Sequence, residues 1–174
     1  VLRGELMLQR ASVKWLLNQH SEALADATSS LDELLSDRNL SRAVYATKMK
    51  PDTLQQLIRG RKVESSLLLG VCFECCAALS KQLKRRQDHA GFSHNAVSLL
   101  QELRKGYENG SLTYKQDPRK ETMSEHKGDV LLDAVTETVH VMHTHDGPSF
   151  DLIVEECRQR CLPQRAVARA NTGT

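Results

Sequence analysis

The pattern of this chain predicts an all-α fold, built from antiparallel helical hairpins stacked as a short, irregular array. Three observations carry that expectation. Apolar residues recur at three- and four-residue intervals through much of the 174-residue sequence, the spacing that gathers them on one side of a helix. In the clearest unit, residues 4–35, two such stretches are separated only by Gln19-His20-Ser21, so they must fold back on one another. Aromatic residues make up only 4% of the chain, so the core is assembled from Leu, Val, Ala and Cys, which suits close helix contacts better than a β-sandwich. The length fits one domain, able to bury about two-thirds of the surface its unfolded form exposes. That domain is expected over 1–162, with 163–174 as a flexible tail.

In the first helix of 4–35, Leu6, Val13, Leu16 and Leu17, with Ala11 and Trp15, are expected to form the buried side. In the second, Ala23, Leu24, Ala27, Leu31, Leu34 and Leu35 do the same, and Glu22, Asp26, Asp32 and Glu33 keep polar positions. Ser21 reads as the N-cap, with Glu22 at the positive end of the helix dipole. Residues 36–41 read as a loop ending in a capping Ser41, and a short helix over about 42–49 must stop before Pro51. Pro51 suits the first turn of a following helix, weakened at Gly60. From Val63 to Arg86 the chain is apolar almost all round, the mark of a buried helix, with Lys81, Lys84, Arg85 and Arg86 in its last turns.

Residues 87–93 (QDHAGFS) read as a loop. Ser93 is then expected to cap a helix carrying Ala96, Val97, Leu100, Leu103 and Tyr107, stopped by Asn109-Gly110. The polar stretch 111–128, containing Pro118, reads as a surface loop. Residues 129–147 (DVLLDAVTETVHVMHTHDG) read as another helix, and Pro148-Ser149 opens the last, with Phe150, Ile153, Val154, Cys157 and Cys161 on one side and Pro163 ending it.

The spacing of Ala11, Trp15, Ala23 and Ala27 resembles a tetratricopeptide repeat, in which small side chains at the helix crossing permit close approach. The segment HSEALADATSSLDEL resembles the second helix of such a repeat. The match departs from the usual pattern at Ala11, where glycine is commoner, and at Ser30, where alanine is usual. The resemblance implies a non-catalytic protein-interaction module, an adaptor or scaffold subunit, whose first helices line a groove for a partner peptide or helix. Position by position, it places Glu5, Leu8, Ser12, Glu64, Leu67, Val71 and Glu74 at that groove, with Leu131, Val135 and Thr138 from a third unit. Chaperone-binding members clamp a carboxylate with a Lys and Asn pair in the first helix. Leu8 and Ser12 stand there in this chain, so a chaperone-tail ligand is not expected.

Charge does not advertise nucleic acid or membrane: 24 Lys and Arg face 22 Asp and Glu. The main alternative is an RNA-associated helical protein using Lys81, Lys84, Arg85 and Arg86, with Arg59, Arg61 and Lys62 beside them. It is less favoured, because no aromatics interleave to stack on bases. Five cysteines, at 72, 75, 76, 157 and 161, lie inside helical stretches, which suits reduced thiols in an intracellular, cytoplasmic setting. Zinc on the cysteines, or on His140, His143 and His145, is the weaker reading beside packing and helix-end roles. No metal or cofactor is therefore expected. The longest apolar run, Leu67 to Cys76, contains Glu74 and falls short of the roughly 20 residues of a spanning helix. No Gly-x-Ser-x-Gly or similar nucleophile turn occurs, so no reaction is expected.

Overall fold

The structure is a computed structural model that describes residues 2–35, 42–112 and 149–162. It is all-α, with no strand among the described residues. The helices are α1 (Leu2–Leu16), α2 (His20–Leu35), α3 (Arg42–Tyr45), α4 (Pro51–Ile58), α5 (Val63–Gln82), α6 (Arg86–Glu108) and α7 (Phe150–Cys161).

The two longest-packed pairs, α1 with α2 and α5 with α6, are each joined by a tight turn. Asn18 (φ 62°) makes the first turn and Lys84 (φ 59°) the second, both in the left-handed region where a chain reverses over few residues. Contacts show the pairs to run in opposite directions. Arg3 pairs with Glu33 while Arg10 pairs with Asp26, and Phe73 meets Phe92 while Gly70 lies against Leu99 and Leu100. Helix α2 packs on α5 and joins the two pairs through one core.

Helix α5 is apolar all round, as its sequence suggests, and α1, α2, α6 and α7 all contact it. By length and composition alone it could cross a membrane, but 83% of its apolar window is buried inside the protein. The segment 42–58 lies along α6 and is tied there by Asn95. The Asn95 Oδ1 accepts the Met49 N–H at 2.8 Å, and its Nδ2 donates to the Tyr45 and Thr47 carbonyls at 2.9 and 2.7 Å. Gly91, one turn earlier, makes this approach possible: a Cβ there would stand 1.6 Å from the Ala46 carbonyl oxygen.

Several expectations hold. Pro51 opens α4, the last helix opens at Ser149, whose hydroxyl accepts from the Leu152 N–H, and Asn109-Gly110 ends α6 with Gly110 at φ 76°. Others need correction. Helix α2 begins at His20, so Ser21 sits inside its first turn rather than capping it. Residues 87–93 are not a loop: α6 starts at Arg86, because Gly91 and Phe92 are needed to pack beneath residues 45–47 and against Phe73. Ser93 is therefore mid-helix. Of the basic run only Lys81 lies in the last turn of α5, since that helix stops at Gln82, and Arg86 belongs to α6.

The largest correction concerns α1, which buries Gly4, Leu8, Ala11, Ser12 and Trp15. Leu6, Val13 and Leu17, expected inside, are 55%, 54% and 63% exposed. The small residues win because α2 presses close: even a Cβ on Gly4 would meet Leu34 Cγ at 3.0 Å. The loop over 36–41, the stretch 113–148 with its expected helix and histidines, and the tail 163–174 lie outside the described residues.

Candidate binding surfaces

The groove expected between the first helices is filled by the chain itself. Helix α7 packs across α5, α1 and α6 and buries Phe150, Ile153, Val154, Cys157 and Cys161. These recur at three- and four-residue steps, as in any helix laid into a groove. Polar ties hold it at intervals. Arg158 makes a two-pronged bond to Glu74, Nε at 2.9 Å and Nη2 at 2.6 Å, and Ser12 Oγ lies 2.9 Å from the Cys161 carbonyl oxygen. Arg104 pairs with Asp151 and stands 5.3 Å from the centre of the Phe150 ring. Hydrogen bonds to Glu74 hold Arg158 above its ordinary pKa against the opposing effect of burial.

The residues that the resemblance placed at a ligand groove therefore divide. Leu8, Ser12, Leu67 and Val71 are buried core positions and present no surface, because α2, α5 and α7 close over them. Glu5 and Glu64 are half-buried. Glu74 does reach the groove, and there it holds Arg158. Leu131, Val135 and Thr138 lie outside the described residues.

The four basic residues of the alternative reading are brought together. Lys81, Lys84, Arg85 and Arg86 are all exposed around the turn from α5 to α6. The cysteines are interior. All five are buried, Cys72 Sγ donates to the Ala27 carbonyl at 3.3 Å, and burial pushes the Cys75 and Cys76 thiols well above their ordinary range. Such thiols are protonated and inert. Among the described residues no group of three or more His, Cys, Asp or Glu is arranged to hold a metal ion.

Two surfaces stand out that residue-by-residue reading missed. The first is the outer face of α1, where Leu2 (70% exposed), Leu6, Val13 and Leu17 follow one another at helical spacing. The signal was present: α1 is apolar on two opposite sides, and a helix that meets the rest of the fold along one side buries only that one. The second is a cleft of about 230 Å³ at the C-terminal end of α7, walled by Trp15, parts of α5 and α6, Arg158 and Leu162. No sequence signal foretold it, since its walls come from four separate stretches.

No family model, curated protein or solved structure matches the chain.

Proposed function

We propose that this chain is a non-catalytic, tetratricopeptide-like helical module that binds another protein, acting as an adaptor or scaffold subunit. The observation that supports this is the outer face of α1. Four large aliphatic side chains lie exposed in one line there, over a length of about 22 Å at 1.5 Å per residue. Scattered exposed leucines are ordinary, but an aligned stripe is a contact surface. Along one side of it Arg3 and Arg10 are taken up by Glu33 and Asp26 of α2. The occupant that fits such a stripe is an amphipathic helix of a partner protein, its apolar side laid on the stripe. The groove between α1 and α5 cannot serve while α7 fills it.

The test is capture from the native cell by the tagged chain and by its Leu6→Glu/Val13→Glu variant, each washed with nuclease and high salt. Both side chains are more than half exposed, so the two substitutions together change folding by about 1 kcal/mol at most. The expected result is a defined protein set that survives the washes on the native chain and is lost from the folded variant. Retention of the same set by the variant removes α1 as the partner surface. One observation supports a second reading: the exposed cations around the α5–α6 turn would suit RNA phosphates. Loss of the set on nuclease treatment, with affinity falling steeply with salt, would put that corner at the centre instead.

A further inference from the structure

The cleft at the end of α7 lies away from the α1 stripe and is not explained by a helical partner there. Its volume of about 230 Å³ is below the roughly 300–1,000 Å³ of sites for drug-sized ligands. It has room for a small molecule and not for a helix. One side is aliphatic, with Ala77 and Ala78 from α5, Ala96 and Val97 from α6, and Leu162. Val97 is 52% exposed at this wall, an apolar surface left to water.

The polar side chains around it are Lys81, Ser93, His89, Glu74 and Arg158. Lys81 lines the cleft, is exposed, and has no acidic partner among the described residues. Ser93 contributes a hydroxyl. His89 lies with Nδ1 2.9 Å from the Ala77 carbonyl oxygen, which places the ring proton on Nδ1. Glu74 is the acidic residue of the lining, and Arg158 already neutralises it through two hydrogen bonds. Arg158 also meets Glu155 Oε2 at 3.4 Å, and Lys81 is left without a carboxylate beside it among the described residues. Trp15 also lines the cleft, at 1% exposure, and its indole N–H is buried with no acceptor among the described residues. A buried indole N–H ordinarily has a partner, and one left without calls for an explanation.

We propose that the cleft binds a small aliphatic monocarboxylate. The carboxylate answers Lys81 and supplies the acceptor that Trp15 lacks, while the hydrocarbon stem covers the alanines and Val97. The indole nitrogen is closed to solvent, so binding includes a small shift of the ring that opens it to the ligand oxygen.

The chain contains one tryptophan, so a ¹⁵N-labelled sample gives a single indole N–H resonance that reports on this site. The experiment titrates the full chain with hexanoate, and in parallel with hexanol and hexylamine. The expected result is a saturable shift of the indole resonance with hexanoate alone, with affinity falling about tenfold or more in Lys81→Gln, the loss of one charge-assisted hydrogen bond. Lys81 is exposed, so the variant folds. Any of three results overturns the proposal: an indole resonance that hexanoate never moves, an equal response to hexanol or hexylamine, or unchanged affinity in Lys81→Gln.

Discussion

Replacing Asn95 by alanine removes the tie between α6 and the segment that carries α3 and α4. Three hydrogen bonds go at once, to the Met49 N–H and to the Tyr45 and Thr47 carbonyls. Each is worth about 1 kcal/mol net, and the buried Met49 N–H left without an acceptor adds about 1 kcal/mol more. The expected loss is therefore about 3–4 kcal/mol, a large part of the 5–15 kcal/mol typical of a domain. In urea unfolding followed by far-UV circular dichroism, with a slope of about 2 kcal/mol/M, the midpoint falls by about 1.5–2 M. Asn95→Asp should be worse than alanine at neutral pH. It keeps one acceptor but turns a carboxylate toward two carbonyl oxygens. A midpoint drop below about 0.5 M for alanine, with the slope unchanged, would refute the assignment of Asn95 as the tie, because roughly 1 kcal/mol is one exposed hydrogen bond and not three.

Other perturbations follow from the same geometry. Gly91→Ala should unfold the chain or expel residues 45–47 from α6, since its Cβ would fall 1.6 Å from the Ala46 carbonyl oxygen; limited proteolysis around Thr47 reads the outcome. Thiol titration of the native chain at pH 8 should find no reactive cysteine, and all five should appear together on unfolding. At Asp26, burial favours the neutral acid, but hydrogen bonds from Arg10 and Lys14 outweigh it and lower the pKa. A lowered folded pKa gives stability that is fully present above the ordinary carboxylate value of about 4 and is lost as pH falls through the folded value. The stability gap between the native chain and Asp26→Asn should therefore be flat through neutral pH and close in acid. Reversing the charge of Arg158 alone, as Arg158→Glu, sets two carboxylates against each other and should loosen α7, exposing Cys157 and Cys161 to thiol reagents. The double exchange Glu74→Arg/Arg158→Glu should restore their protection.

Much of the architecture was legible along the chain. The buried stripe of α2, the all-round apolar character of α5, the Asn109-Gly110 stop and the opening of α7 at Ser149 are local properties, set within one or two turns. The candidate site was less legible, and α1 shows why. Its two apolar sides look equivalent in a helical projection, yet only the one with Gly4 and Ala11 is slim enough for α2 to approach. The groove failed for a related reason. Matching positions one helix at a time placed Leu8, Leu67 and Val71 at a surface, while α7, far along the chain, lies over the region they were meant to line. The stretch 87–93 misled because Gly91 resembles a helix breaker in sequence, whereas its lack of a side chain lets another segment's backbone rest on α6.

The sequence by itself determined that the chain is helical, where most helices begin and end, and that α5 is interior, because periodicity, capping and hydrophobicity act over a few residues. Only the tertiary structure decided which side of α1 meets water, that Glu74 is matched by Arg158, and that Trp15 shares a cleft with Lys81 and Val97. Those outcomes depend on contacts between residues far apart in the chain, and such contacts are settled by how closely whole helices can approach, not by any pattern within one of them.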